Sequence, residues 1–100
     1  MRHAPPNRRV SEVIEFIHDG IRFQGQVSYR DDGSPCEIFL HGGKAGTAVQ
    51  AVARDTAVAA SLALQGGIAL GVLRDALTRN DDSSPAGPLG RLLDLVGGAA

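Results

Sequence analysis

The segment from Ile21 to Tyr29 restricts the fold more than any other, because apolar and polar side chains alternate along it. The apolar set is Ile21, Phe23, Val27 and Tyr29, and the polar set is Arg22, Gln24, Gln26, Ser28 and Arg30. A repeat of two residues predicts a β-strand with one buried face. Gly25 falls on the apolar face, which predicts either space for a packed helix or a β-bulge.

Turn sequences on both sides of this strand predict neighbours that pair with it in an antiparallel sense. His18-Asp19-Gly20 precedes it, and the run Asp-Asp-Gly-Ser-Pro at 31–35 follows it. Asp-Gly is a strong hairpin signal, and short connections favour antiparallel pairing. The predicted strands are therefore 12–17, 21–29 and 36–41, in a meander.

The remaining sequence is typical of helices. A long helix is predicted from about Gly46 to Gln65, because the pair of glycines at 66–67 ends the apolar pattern. Shorter helices are predicted over 69–79 and from Pro88 onward, since proline suits a first helical turn. The prediction is an α+β fold: a three-stranded antiparallel meander, a long central helix and two shorter helices. In a chain of 100 residues this is one domain, 10–97, after a flexible basic arm, 1–9.

The long helix is apolar on nearly every side. Its predicted core stripe is Val49, Val52, Ala53, Ala57, Ala60 and Leu64, and a narrow polar strip is formed by Gln50, Arg54, Ser61 and Gln65. Further apolar residues lie off the stripe, and such a helix is normally buried on most sides. The prediction is a homodimer, or another homo-oligomer, with an interface at Arg54, Asp55, Ala59, Leu62 and Ala63. In the alternative, the two shorter helices cover this surface within one chain.

A glycine-rich segment joins the third strand to the long helix, and it contains the only lysine of the chain. Its residues are Gly42, Gly43, Lys44, Ala45, Gly46 and Thr47. Glycines let backbone N–H groups approach an anion, and a helix start adds unpaired donors. These residues are predicted to bind a phosphate or nucleotide, although the Walker A spacing is absent. The structural alternative is a turn capped by Thr47.

Catalytic and metal-binding residues are not predicted. The single cysteine, Cys36, lies on the apolar side of its strand, and alternation points His41 to the opposite face. The acidic pairs at 31–32 and 81–82 are typical of turns. No cofactor is predicted, and an enzyme activity is improbable on this residue set.

The charge and hydropathy of the chain bear on its location and partners. A net charge of −1 disfavours nucleic acid as a partner, and no apolar run is long enough for a membrane span. The lone cysteine fits a reducing compartment. The expected location is the cytoplasm, away from membranes.

Several segments resemble the TSCPD domain, which occurs at the C-terminal end of cobalamin-dependent ribonucleotide reductases and as short stand-alone bacterial proteins. The resemblance lies in 32–40 (DGSPCEIFL), 43–47 (GKAGT), 61–64 (SLAL) and 71–77 (GVLRDAL). It spans roughly residues 21 to 96. The string Thr-Ser-Cys-Pro-Asp is absent, and so is the catalytic part of the large reductase. The resemblance therefore implies association with ribonucleotide reduction, and any reductase label would follow from the family alone.

Two functional hypotheses remain from the sequence. The first is a non-catalytic accessory or protein-interaction module, associated through the resemblance with ribonucleotide reductase as a possible partner. The second is a small nucleotide- or phosphate-binding regulatory protein that uses the loop at 42–47.

Overall fold

The first half of the domain is a three-stranded antiparallel sheet, seen in a computed structural model that describes residues 10–97. Its strands are β1 (Val10–His18), β2 (Ile21–Tyr29) and β3 (Pro35–Gly42), in the order β1-β2-β3. The predicted meander is confirmed, with β1 extending two residues further towards the N-terminus than predicted. The predicted basic arm, 1–9, lies outside the described residues.

Three helices follow the sheet: α1 (Ala48–Gln65), α2 (Leu70–Ala76) and α3 (Pro88–Gly97). This order confirms the predicted α+β fold. α2 ends three residues before the predicted Arg79, because the chain becomes extended at Leu77 and Arg79 forms a β-bridge with Pro85. No helix within residues 10–97 is both long and apolar enough to cross a membrane.

The helices cover one face of the sheet, and the alternation in β2 determines which face it is. Phe23 and Val27 are buried there, together with Ile38 and Leu40 of β3 and Leu92 and Leu93 of α3. Gly25 lies directly beneath Leu92, and a Cβ atom on this glycine would overlap the leucine side chain. Of the two predictions for Gly25, space for a helix is therefore the one that the structure shows.

α1 packs against β3, and its buried side differs in part from the predicted stripe. Ala53, Ala57, Ala60 and Leu64 are buried as predicted. Val49 and Val52 are exposed, because the helix is rotated so that Ser61 faces the sheet. Ser61, which was placed on the polar strip, is buried because its hydroxyl group finds hydrogen-bond partners on β3.

Two polar contacts hold α3 in place, one to the segment between α2 and α3 and one to β1. The guanidinium group of Arg79 donates two hydrogen bonds to the carboxylate of Asp94 in α3, at 2.7 and 2.9 Å. The Nε2 atom of the buried His18 donates to the carbonyl oxygen of Ala86, just before α3, at 3.1 Å. The contact of His18 with Ala86 and that of Leu92 with Gly25 place α3 over β1 and β2, and the Arg79–Asp94 pair joins α3 to the segment that precedes it.

Replacing Gly25 with alanine tests the close approach of α3 to the sheet. Gly25→Ala is expected to destabilise the domain by about 1–3 kcal/mol, since Leu92 is fully buried and cannot swing into solvent. Urea unfolding followed by circular dichroism measures the change. Gly87→Ala is the matched control, because a Cβ there meets no atom within 4 Å. Equal stabilities of the two variants would contradict the packing described here.

The pair formed by Arg79 and Asp94 is expected to make stability depend on pH. Hydrogen bonding from Arg79 lowers the pKa of the Asp94 carboxyl, and burial opposes this shift. Since the pKa of Asp94 is lower in the folded than in the unfolded state, the ion pair makes its full contribution to the free energy of unfolding above the unfolded-state pKa. It is lost as the pH falls through the folded pKa.

The measurement compares urea unfolding of the wild type and Asp94→Asn over a series of pH values. The variant is expected to be less stable by about 1 kcal/mol at neutral pH, and the difference should shrink on acidification. Asp75→Asn is the control, because Asp75 is exposed and lies 3.6 Å from Arg74. A difference for Asp94→Asn that is independent of pH would refute the assigned ion pair.

Candidate functional site

The glycine-rich loop forms a tight turn between β3 and α1. Gly43 and Gly46 have φ angles of 79° and 81°, in the left-handed region that glycine adopts without strain. Gly42 is buried at the end of β3, and Lys44 and Ala45 are exposed. The predicted residues are therefore adjacent in one turn, with the ammonium group of Lys44 facing solvent.

Hydrogen bonds within the loop occupy several of the donors that an anion would need. The Thr47 hydroxyl donates to the carbonyl oxygen of Lys44 at 2.6 Å and accepts from the backbone N–H of Gln50 at 3.3 Å. The N–H of Gly46 donates to Oε1 of Gln50 at 2.9 Å. Thr47 is thus the N-cap of α1, as the structural alternative predicted.

One further cation lies beside this loop. Arg22 of β2 and Lys44 both line an open depression of about 520 Å³, together with Gly20, Gly43 and Thr47. Arg22 could not be joined to the loop from residue spacing, because it is the pairing of β2 with β3 that brings them together. Phosphate or nucleotide binding here stays a prediction. The depression offers two cations to an anion, but fewer unpaired backbone donors than the sequence predicted.

The second candidate surface is the side of α1 that faces away from the sheet. We call it the outer α1 face, and its members are Ala48, Ala51, Val52, Asp55, Val58, Ala59 and Leu62, all exposed. Val52, Val58 and Leu62 are 59%, 58% and 64% exposed. The alternative in which α2 and α3 cover this surface is therefore wrong within residues 10–97.

The five predicted interface residues do not all lie on the outer α1 face. Asp55, Ala59 and Leu62 are on it, and Asp55 is its only charged member. Arg54 is exposed at its margin and Ala63 is half-buried at the other side. Arg54 and Asp55 form no ion pair with each other or with any other residue in 10–97.

A groove of about 540 Å³ runs between α1 and β3, and we call it the α1–β3 groove. It is lined by Arg54, Val58 and Leu62 from the helix and by Phe39 and His41 from the strand. Phe39 is 54% exposed. Because Val58 and Leu62 belong to both surfaces, the groove extends the outer α1 face towards the sheet. The sequence did not predict a contribution from Phe39.

α1 also covers part of the outer edge of β3. The Ser61 hydroxyl accepts a hydrogen bond from the N–H of Ile38 at 2.8 Å. It can donate to the carbonyl oxygen of Ile38 at 3.1 Å or to that of Ala57 at 2.9 Å. The side-chain amide of Gln65 donates to the carbonyl oxygen of Cys36 at 3.0 Å. These groups satisfy backbone atoms that would otherwise be available to an additional strand.

The side chains that could carry chemistry lie apart. Cys36 is buried beneath α1 and His41 is exposed on the open face of the sheet, as the alternation predicted. Asp32 and Asp82 accept hydrogen bonds from Ser34 and Ser84 in their own turns, which lower the pKa of each carboxyl. Within residues 10–97 no group of three or more His, Cys, Asp or Glu side chains has a metal-binding arrangement.

Removal of the Ser61 hydroxyl tests its role at the edge of β3. Ser61→Ala is expected to destabilise the domain by about 2 kcal/mol, because it leaves buried backbone groups of Ile38 unpaired. Urea unfolding gives the stability, and amide exchange should be faster at Ile38. Thr56→Ala is the control, since the Thr56 hydroxyl bonds only within α1. Unchanged exchange at Ile38 in Ser61→Ala would contradict this role.

Comparison with protein-family models, with curated proteins and with solved structures finds no match to this chain.

Proposed function

We propose that this chain is a non-catalytic protein-interaction module that self-associates through the outer α1 face. The observation that carries the proposal is the exposure of Val52, Val58 and Leu62 on one side of a helix whose opposite side is buried. Contiguous apolar surface of this kind marks interaction sites in soluble domains. The partner to which we commit is a second copy of the chain.

The residue types of the outer α1 face suit a pair of closely packed helices. Ala48, Ala51 and Ala59 are small, so that two helices can approach each other, while the larger side chains fill the space between them. Two copies related by a twofold axis present the same surface to each other, and an axis perpendicular to α1 makes the two helices antiparallel.

The charges near the outer α1 face are consistent with a second copy as the partner. Asp55 lies on the face and Arg54 at its margin, and neither is paired within residues 10–97. A twofold arrangement centred between these positions sets Arg54 of each copy near Asp55 of the other. The pairing of these charges between two copies is part of the proposal.

The link to ribonucleotide reduction rests on the resemblance alone. The segments that resemble the TSCPD domain lie on β3, on the loop before α1, in α1 and in α2. We propose, on this basis, an accessory role beside a reductase. The self-association is independent of that role and is tested separately.

Charged substitutions on the outer α1 face test the proposal. The wild type is expected to sediment as a dimer, and Ala59→Glu and Leu62→Glu are expected to weaken dimerisation at least about tenfold, because each buries an unpaired carboxylate. Analytical ultracentrifugation over a range of concentrations gives the dissociation constants. Circular dichroism and urea unfolding show whether each variant remains folded.

Two controls make the result specific. Thr78→Glu adds the same charge at an exposed position away from α1, and its dimer should have the dissociation constant of the wild type. Arg54→Glu should weaken the dimer, and addition of Asp55→Arg should restore it if the two charges pair between copies. A wild type that is monomeric at all concentrations, or glutamate variants with wild-type dissociation constants, would overturn the proposal.

A further inference from the structure

The outer edge of β1 is open. β1 is an edge strand of nine residues, and it pairs only with β2 among the described residues. At the other edge, Ser61 binds the N–H of Ile38 on the side away from β2. Along each strand, residues whose backbone groups point to one neighbour alternate with residues whose backbone groups point the other way. The strand pairings then show that the backbone groups of Ser11, Val13, Glu15 and Ile17 point away from β2. None of these four has a backbone partner in residues 10–97.

The two edges of the sheet differ in their protection. α1 covers the β3 edge with side-chain hydrogen bonds from Ser61 and Gln65. No described side chain or helix end binds the backbone of the β1 edge. Long open edges are templates for an added strand, and soluble proteins usually protect them. β1 is therefore the edge of this sheet at which another strand can pair.

The side chains of β1 combine apolar surface with negative charge. Val10, Val13 and Ile17 are 74%, 56% and 64% exposed. The stretch from Val10 to Ile21 contains three carboxylates, at Glu12, Glu15 and Asp19, and neither lysine nor arginine. A strand that pairs here therefore meets exposed apolar side chains separated by carboxylates.

A second copy of β1 fits this edge poorly. Antiparallel registers centred on Glu12 or Glu15 set two identical carboxylates directly opposite each other. Registers centred on Val13 or Ile14 set Glu12 or Glu15 diagonally across from its own copy. Like charges across a strand pair are destabilising, whereas opposite charges stabilise it. The charge of the edge thus favours a partner strand of positive charge.

We propose that the β1 edge binds an extended segment of a partner protein in which apolar residues alternate with lysine or arginine. The segment adds a fourth strand to the sheet, with hydrogen bonds to the outward backbone groups at 11, 13, 15 and 17. Its cations lie on the open face of the sheet, beside the carboxylate of Glu15, and its apolar side chains lie on the opposite face, beside Ile14 and Phe16. This surface is separate from the outer α1 face, so that either proposal can fail alone.

A synthetic peptide of alternating lysine and valine, as long as β1, tests the proposal on the full chain. Titration followed by ¹⁵N–¹H correlation spectra should shift amide signals of β1, above all those of 11, 13, 15 and 17. A peptide of alternating lysine and glycine has the same charge with little strand propensity, and one of glutamate and valine reverses the charge. Both are expected to bind at least about tenfold more weakly.

Substitutions in β1 separate pairing from simple charge attraction. Val13→Pro removes an outward N–H without removing a bond to β2, and it should weaken binding of the lysine–valine peptide about tenfold. Val13→Ala is the matched control, since it shortens the same side chain and retains the N–H. Glu15→Gln should weaken binding by a smaller factor, and the loss should diminish at high salt.

Several outcomes would overturn the proposal. If the lysine–glycine peptide bound with the same affinity as the lysine–valine peptide, charge attraction alone would explain the binding. Wild-type affinity in Val13→Pro would exclude backbone pairing. Shifts centred on α1 would place the peptide at another surface. A wild-type dimer that Val13→Pro converts to a monomer would make a second copy the occupant of this edge.

Discussion

The hydrogen bonds between Ser61 and Ile38 determine how the longest helix sits on the sheet. A buried hydroxyl group needs partners, and here it finds them at the edge of β3 rather than in solvent. This contact sets the rotation of α1 about its own axis. The rotation buries Ala53, Ala57 and Leu64, and it turns Val52 and Leu62 outward. The outer α1 face is therefore a consequence of how β3 is protected.

The two edges of the sheet are covered to different extents. α1 covers β3, while α3 lies across β1 and β2 and is held by Leu92, His18 and the pair of Arg79 and Asp94. Among residues 10–97, the protection of one edge by side chains of α1 has no counterpart at the other. Among the described residues, large exposed apolar side chains lie on α1 and along β1, and single ones lie on β3, α2 and α3.

Much of the fold was predictable from short-range patterns. Alternation in β2, with turns on both sides, gave the sheet and its order, and the glycines at 66–67 gave the end of α1. The phase of α1 was not predictable, because a helix rich in alanine offers several apolar stripes of similar quality. The deciding contact, from Ser61 to Ile38, joins residues that are 23 positions apart. Likewise, the β-bridge that ends α2 depends on Pro85, beyond the helix itself.

Of the candidate site, the sequence indicated the loop at 42–47 and three members of the outer α1 face, Asp55, Ala59 and Leu62. It could not indicate Arg22 beside Lys44, or Phe39 beside Leu62, because strand pairing and helix docking bring these residues together. Nor could it indicate that Gln50 and Thr47 occupy donors of the loop. Hydrogen-bond competition of this kind depends on side-chain geometry that residue spacing does not specify.

The docking of α3 against Gly25 and His18 has a consequence for the synthesis of the chain. His18 and Ala86 are 68 positions apart, so that the cover of β1 and of the adjoining part of β2 comes from residues made much later. Contacts at such separation form late and slow the folding of a small domain. While the ribosome is still extending the chain, the apolar side of β2 has no leucines of α3 to meet. The nascent meander therefore keeps apolar surface exposed until α3 has been synthesised, and such surface favours aggregation of an unfinished chain.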